Sequence, residues 1–199
     1  MNQYVLFPPS FKHEVCYMKT FTDLTEKQLD RTERYSGPLY QVYSDRVLLP
    51  NGHTSVREVI EHVDGVAVLP LDENNNVLTV TQYRYVFGKP LLEIPAGKLD
   101  PGEDPYTGGL RELREETGAV PGIYESLGRI IPAPGCYSEI LHLYLARDLK
   151  METQDLDPDE FLNVERIPFD EMVRRCMDGE VEDAKTVAAV LKAKLLLGL

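Results

Sequence analysis

The sequence predicts an α/β fold, an α/β/α sandwich built on a mixed sheet and preceded by a small antiparallel sheet. Short β-rich segments recur through the middle of the chain, a helix with clear start and stop signals interrupts them, and two helical segments follow. A length of 199 residues fits one domain of moderate size with an extension. We therefore assign residues 1–62 to an N-terminal arm and small sheet, and residues 63–199 to the main domain.

Composition narrows the range of functions. The formal net charge is −12, whereas generic binders of duplex nucleic acid gain most of their affinity from Lys and Arg contacts to phosphates. Three cysteines without metal-type spacing indicate a reduced, cytoplasmic protein. No apolar run approaches the ~20 residues of a membrane-spanning helix. We expect neither a nucleic-acid partner nor a membrane partner.

The N-terminal part predicts a small sheet. Residues 1–27 carry few periodic signals and are interpreted as an arm with one short strand at most. Strands are predicted at 31–35, 39–49 and 55–62, separated by turns at Ser36-Gly37 and Asn51-Gly52. A sheet of about three strands is marginal alone. We therefore expect a homodimer in which this sheet packs on the partner or is exchanged with it.

The main domain contains further strands and two later helices. Residues 66–71 and 77–85 flank a polar turn and are predicted to be central strands joined as a hairpin. Residues 169–177 predict a helix that stops at Gly179, and Asp183 predicts the N-cap of a final helix. The remaining predicted strands are 91–94, 127–131, 142–146 and 163–167.

An acidic helix is predicted between two glycine-containing segments. Asp104 is an N-cap acceptor, Pro105 has the φ of a first helical residue, and Gly118 supplies the stop. Like charges at helical spacing cost roughly 0.2–0.5 kcal/mol per pair, and each internal glycine costs about 1 kcal/mol relative to alanine, so tertiary contacts must hold this helix. One face carries three carboxylates and the opposite face carries the side chains expected to pack inward: Glu112, Glu115 and Glu116 against Leu110, Leu113 and Thr117.

Convergent carboxylates suit Mg²⁺, which completes its coordination shell with water and substrate phosphate. The alternative is a solvated acidic face. The spacing of the whole segment favours the metal site, because random sequence matches it less than about once in 10⁸ starting positions. The segment reads Gly97, Glu103, Arg111-Glu112-Leu113, Glu115-Glu116 and Gly118. This pattern resembles the Nudix box of the Nudix hydrolases, whose fold is the sandwich predicted above.

Flanking segments resemble the ADP-ribose pyrophosphatase branch of that family. They are Leu92-Glu-Ile-Pro-Ala-Gly97, Ala133-Pro-Gly135 with Ser138-Glu139, Leu49-Pro-Asn-Gly52, Arg57-Glu58, Gln82-Tyr-Arg84 and Asp183-Ala-Lys-Thr186. The similarity runs from about residue 28 to the end of the chain. It implies metal-dependent hydrolysis of ADP-ribose to AMP and ribose 5-phosphate.

The resemblance also implies the cofactor and its ligands. The cofactor would be Mg²⁺, with Mn²⁺ as a substitute. Its ligands would be the carboxylates of Glu112 and Glu116 and the main-chain carbonyl of Ala96, with Glu115 beside them. We interpret Arg111 as a residue that orients Glu115 or a neighbouring carboxylate.

Candidates for substrate binding lie outside the box. A diphosphate held by metal on one side needs a cation on the other, and the arginine fork suits it; Arg84 is the first candidate and Arg57 the second. Pro134 stands where this branch has a proline, although Pro-Gly is also an ordinary turn pair. Some relatives stack tryptophan on the adenine, and this chain has no tryptophan. A tyrosine of the small sheet could take that place, and the candidates are Tyr35, Tyr40 and Tyr43.

The general base must come from outside the metal-binding carboxylates. In this branch a glutamate from a mobile loop has that role, and the acidic loop 155–161 matches its position. Glu160 fits best because glutamate reaches further into a cleft than aspartate. Asp157 and Asp159 are the alternatives, and a solvated loop without a catalytic role is another.

Two other functions compete with ADP-ribose hydrolysis. The same scaffold hydrolyses other nucleoside diphosphate sugars, such as GDP-mannose or ADP-glucose. A non-catalytic ligand sensor with the same fold is the other possibility, but such proteins usually have a degraded box. Every acidic position of the box is filled here.

Overall fold

The computed structural model describes residues 22–199, in which three sheets and three α-helices are formed. The strands are β1 Lys27–Ser36, β2 Gln41–Leu48, β3 Thr54–Glu61, β4 Gly65–Pro70, β5 Asn76–Arg84, β6 Lys89–Glu93, β7 Ala96–Lys98, β8 Ala119–Ile130, β9 Leu141–Met151 and β10 Leu162–Pro168. The helices are α1 Pro105–Thr117, α2 Phe169–Met177 and α3 Ala184–Leu197. Residues 1–21 of the predicted arm, including Cys16, lie outside the described residues.

The main domain is the predicted α/β/α sandwich, and β4 lies in its central layer. Every residue of β4 is buried. On one side Ala67 and Leu69 join a buried cluster with side chains of α2 and α3. On the other side Val66 and Val68 pack in a second cluster with Leu113 of α1. The period-2 alternation of strand side chains thus places helices on both faces of one sheet.

The two sheets of the main domain have different strand orders. One has the order β7-β4-β9-β8, with β4 parallel to β9 and the other pairs antiparallel, so the prediction of a mixed sheet is confirmed. The second has the order β10-β5-β6 and is antiparallel. The four-stranded sheet leads into and out of α1, because its strand β7 precedes the segment that enters the helix and its strand β8 immediately follows the helix.

The N-terminal sheet has the order β1-β2-β3 and is antiparallel throughout, as predicted. Every residue of β1 is exposed. The link to the main domain runs through β3, where Ile60 donates its N–H to the Cys136 carbonyl (2.7 Å) and accepts from the Ser138 N–H (3.0 Å). One face and one edge of this sheet are therefore left uncovered by the described chain.

Some strand predictions were wrong in detail. The predicted hairpin of β4 and β5 does not extend into a ladder, because the two strands lie in different sheets and the chain pairs there through a single bridge between Leu71 and Val77. The strand β7 was not predicted, since it is three residues long and follows a proline. The strand β8 begins at Ala119, eight residues before the predicted 127–131 strand, because Pro121 and Gly122 masked its start.

Two glycines explain how α1 is held despite its poor intrinsic propensity. A Cβ at Gly109 would lie 2.0 Å from the Tyr124 hydroxyl oxygen and 2.8 Å from a Val66 methyl carbon. A Cβ at Gly108 would lie 2.5 Å from a Leu99 methyl carbon. These glycines let the helix approach β4 and β8 closely, so that tertiary packing offsets their low helix propensity.

Within residues 22–199, no helix is long and apolar enough to cross a membrane.

Candidate active site

The helix α1 starts and ends as its local sequence predicts. The Asp104 carboxylate accepts from the Tyr106 N–H (3.0 Å), and Pro105 occupies the first turn. Gly118 ends the helix with φ of 72°, in the left-handed region that favours glycine. Its first and last turns are thereby fixed, so its side chains face defined directions.

Two carboxylates of α1 are buried beside the β7 backbone. Glu112 is 8% exposed and Glu116 is 3% exposed, so a solvated acidic face is excluded for both. A Cβ at Gly97 would lie 2.0 Å from a carboxylate oxygen of Glu112, so any larger residue there would displace that carboxylate. The Ala96 N–H donates to Glu116 Oε2 (3.0 Å). Both carboxylates are therefore held against the Ala96-Gly97 backbone.

Burial changes the protonation of this pair. It raises the pKa of Glu112 to about 7, with Arg111 opposing the shift and the charges of Glu115 and Glu160 adding to it. Burial raises the pKa of Glu116 to about 8, with the Ala96 N–H opposing the shift and the nearby carboxylates adding to it. Charge on this pair is therefore unfavourable without a counter-charge in the cleft.

Arg111 lies between the carboxylates of the acidic segment. Its guanidinium donates to both oxygens of Glu103 (2.9 Å each), to Glu112 Oε1 (2.9 Å) and to Glu115 Oε2 (2.9 Å). A fifth bond reaches the Lys98 carbonyl (3.2 Å). The guanidinium lowers the pKa of Glu103 to about 2. These contacts fix the orientation of Arg111, so its side chain is committed to the carboxylates.

A further buried carboxylate, Glu93, holds two cations. Glu93, 2% exposed, accepts two 2.6 Å bonds from Arg84 and a further bond from the Lys185 ammonium group. Lys185 also donates to Asp183 (3.0 Å), and Asp183 caps α3 through the Thr186 N–H (3.0 Å). Burial raises the pKa of Glu93, but Arg84 and Lys185 outweigh burial and lower it overall. Glu93 is thus ionised and holds both cations in place.

A cleft of about 770 Å³ is lined by both groups of residues. Its volume is in the range of small-molecule sites. The lining includes the carboxylates of α1 together with Arg84 of β5 and Lys185 of α3. A ligand with several phosphate charges would meet cations and oxygen ligands for a metal in the same cleft.

The acidic loop between β9 and β10 forms part of the same cleft. Asp157, Asp159 and the half-buried Glu160 all line it. The Glu160 N–H donates to the Asp157 carbonyl (3.0 Å), which closes a turn. The charge of Glu160 contributes to the raised pKa of Glu116, so these two carboxylates face the same space.

Three sequence candidates do not line the cleft of this chain. Arg57 donates to Glu26 (2.8 Å) and to Ser55 (3.1 Å) in the N-terminal sheet. Tyr40 is half exposed beside Tyr35, with ring centroids 5.8 Å apart. Pro134 lies in a turn, and Pro132 is the proline that lines the cleft.

Sequence reasoning missed the cation pair and its buried carboxylate as a unit. Glu93 and Lys185 are 92 positions apart, so no local pattern joins them. A signal did exist at Glu93, a charged residue at the end of β6 between the apolar residues Leu92 and Ile94. Charged side chains are seldom fully buried unless they are paired, so this position predicts a cationic partner without identifying it.

The chain is similar to known proteins over most of its length. The sequence model of the NUDIX domain matches residues 61–190. The methanol dehydrogenase activator of Bacillus methanolicus is 41% identical over 167 residues, covering 83% of this chain and 90% of that protein. The ADP-ribose pyrophosphatase of Bacillus subtilis (strain 168) is 37% identical over 169 residues, covering 84% and 91%.

A more distant relative and a solved structure extend the comparison. The GDP-mannose pyrophosphatase of Yersinia enterocolitica is 33% identical over 161 residues, covering 74% of this chain and 84% of that protein. A crystal structure of an ADP compounds hydrolase superposes with a TM-score of 0.78 at 25% identity, covering 91% of this chain and 97% of that one.

The buried ion pairs of Glu93 generate a stability prediction. Glu93→Gln leaves Lys185 without its buried partner and should destabilise the fold by about 2–3 kcal/mol, at the low end for buried pairs because the Arg84 side chain is 39% exposed and screened. The matched control is Glu182→Gln, which removes only the exposed pair with Lys89 and should cost less than about 1 kcal/mol. Urea unfolding measures both.

The stability difference between wild type and Glu93→Gln depends on pH, because the pKa of Glu93 is lowered in the folded state. The stabilisation is present above the unfolded-state pKa of about 4.5 and is lost as the pH falls through the lower folded-state value. The gap between wild type and Glu93→Gln should therefore narrow below pH 4.5 or so. Equal stability of the two proteins at neutral pH would contradict the pairing.

Proposed function

This chain belongs to the Nudix hydrolase family, and from that premise we propose that it hydrolyses the diphosphate of ADP-ribose, giving AMP and ribose 5-phosphate. The observation that carries the proposal is the charge arrangement of the cleft. Its lining combines the buried carboxylates Glu112 and Glu116 with the cations Arg84 and Lys185. A diphosphate fits such a site because it can contact those cations and a metal cation held by the carboxylates.

The donor set fits a divalent cation, and Nudix hydrolases are generally dependent on one. Glu112 and Glu116 offer carboxylate oxygens, and we propose the Ala96 carbonyl as a further ligand. Within residues 22–199 no three His, Cys, Asp or Glu side chains form a complete protein cage. This arrangement suits Mg²⁺, with Mn²⁺ as a substitute, because Mg²⁺ keeps several water ligands and binds substrate phosphate. When bound, the cation neutralises diphosphate charge and lowers the pKa of water.

The chain's own residues then have separate roles. Arg84, which lines the cleft, contacts phosphate oxygens, and Glu93 keeps its guanidinium in place. Arg111 orients Glu115 and Glu112 through its fixed guanidinium. Glu160 accepts the proton of the attacking water, since its carboxylate lines the cleft and shares the space of Glu116. Positioning and charge stabilisation supply most of the catalysis in phosphoryl transfer.

We propose that the chain is a homodimer formed through the N-terminal sheet of residues 27–61. The exposed strand β1 and several exposed apolar side chains support this, including Leu29, Tyr35 and Val56. In such a dimer the sheet packs on the partner or is exchanged with it. Tyr40 and Arg57, which lie away from the cleft of their own chain, would then be available to the partner's substrate. Pro134 would shape the turn at the cleft entrance.

Two alternatives differ in how the structure supports them. Another nucleoside diphosphate sugar, such as GDP-mannose or ADP-glucose, fits the same cleft, because the opposed charges contact the diphosphate rather than the base or sugar. A non-catalytic sensor is disfavoured, because every acidic position of the box is filled. We place the enzyme in the cytoplasm, a proposal supported by the free thiols of Cys136 and Cys176.

A substrate panel tests the proposed activity. Product release from ADP-ribose should exceed that from GDP-mannose and ADP-glucose in Mg²⁺, should vanish in excess chelator and should return with Mg²⁺ or Mn²⁺. Chromatography of the nucleoside monophosphate and the sugar phosphate released from each substrate measures it. Faster product release from GDP-mannose than from ADP-ribose would make GDP-mannose the preferred substrate. Full activity in chelator would overturn the metal-dependent mechanism.

The general base is tested within the acidic loop. Glu160→Gln should lower kcat by about 10²–10⁴-fold with KM nearly unchanged, because the base acts in the chemical step rather than in substrate binding. Steady-state kinetics with ADP-ribose measures both constants. Asp157→Asn and Asp159→Asn are the matched controls and should stay close to wild type. Activity retained in Glu160→Gln but lost in either control would transfer the role to that aspartate.

A further inference from the structure

The last carbonyl groups of α1 are capped by the segment that leads into the acidic loop. The final carbonyls of a helix have no partner within it. Here the Glu115 carbonyl accepts from the Asp155 N–H (3.0 Å), and the Glu116 carbonyl accepts from the side-chain amide of Gln154. The Gly118 carbonyl accepts from the Glu152 N–H (2.6 Å). The end of the helix and residues 152–155 thus form one hydrogen-bonded junction.

Backbone packing makes this junction close. A Cβ at Gly118 would lie 2.4 Å from the Glu152 carbonyl oxygen and 3.3 Å from the Gln154 nitrogen. Glycine is therefore required there for its left-handed φ and for the close approach of the chain. An exposed ion pair between Arg114 and Glu152 (3.2 Å) lies beside the junction.

Gln154 contributes to this junction with its side chain, whereas Glu152 and Asp155 contribute main-chain groups. Its acceptor belongs to Glu116, whose carboxylate lies in the cleft. Six residues after Gln154, Glu160 lines the same cleft. The Gln154 amide therefore joins the helix turn that carries Glu116 to the loop that carries Glu160.

We propose that Gln154 is a positioning residue for hydrolysis: by anchoring the acidic loop to the last turn of α1, it sets the place of Glu160 relative to Glu112 and Glu116. This inference rests on the proposed function, in which Glu160 is the base. A base must come within hydrogen-bond reach of its water, so a displaced loop lowers the rate of the chemical step without weakening substrate binding.

The test uses substitutions that separate the donor from the length of the side chain. Gln154→Met keeps a similar length and has no donor, and should lower kcat about 10-fold with KM within about twofold. Gln154→Lys keeps a donor at similar reach and should restore most of the loss. Glu152→Gln removes only the exposed ion pair and serves as the control with wild-type kinetics. Amide hydrogen exchange should become faster at residues 155–160 in Gln154→Met alone.

A double substitution shows whether Gln154 acts through Glu160. Gln154→Met combined with Glu160→Gln should be no slower than Glu160→Gln alone, since a loop without its base has nothing left to position. A kcat loss in the double variant equal to the product of the two single losses would overturn the proposal. A wild-type kcat in Gln154→Met would overturn it as well. Equal losses in Gln154→Met and Gln154→Lys would also overturn it.

The same experiment distinguishes failure of the base assignment. If Glu160→Gln is close to wild type, Glu160 is not the base, and the anchoring role is decided by Gln154→Met itself. Faster amide exchange at residues 155–160 together with a lower kcat then supports anchoring of a loop whose base is Asp157 or Asp159. Unchanged exchange in that case overturns it.

Discussion

The burial of two carboxylates on successive turns of α1 is the constraint on which the rest of the site depends. Removing a carboxylate from water is costly, and the raised pKa values of Glu112 and Glu116 express that cost. The β7 backbone packs against both carboxylates: Gly97 leaves room for that of Glu112, and the Ala96 N–H donates to that of Glu116. The fold thus holds two carboxylates whose ionisation requires a counter-charge, which we propose a cation in the cleft supplies.

The cations of the cleft are also held by a buried carboxylate. Arg84 and Lys185 lie beside the cleft because a single buried carboxylate, Glu93, binds both. Glu93 comes from β6 and Lys185 from the first turn of α3, so this pairing also fixes the helix against the sheet. The residues that stabilise α3 against the sheet are thus also the ones we propose to bind substrate, since their ion pairs place positive charge in the cleft.

The sequence was informative where the determinants are local. Asp104, Pro105 and Gly118 predicted the limits of α1 correctly, because caps act within one turn of the chain. The hairpin of β4 and β5 was wrong because strand pairing is decided by tertiary packing; β9 pairs with β4 although it lies about 75 residues further along the chain.

The active-site residues also divide into those predicted from local sequence and those brought together only by tertiary contacts. Glu112, Glu116 and Glu160 were predicted from a motif and a loop, and the structure brings all three to one cleft. The pairing of Glu93 with Lys185 was not predicted because it spans 92 positions. Residues of the N-terminal sheet lie away from the cleft, and their relation to substrate depends on contacts beyond one chain.

The central claim is that burial of the Glu116 charge costs stability that a bound cation recovers. Its raised pKa means that the folded state binds protons more tightly than the unfolded state, so stability is lost as the pH rises from about 4.5 through about 8. The direct measurement is thermal unfolding of wild type and Glu116→Gln above that pH, in chelator and in Mn²⁺. The account predicts that Glu116→Gln is at least as stable as wild type in chelator and that Mn²⁺ raises the Tm of wild type alone. A variant less stable than wild type in chelator, or an equal response of both proteins to Mn²⁺, would contradict it.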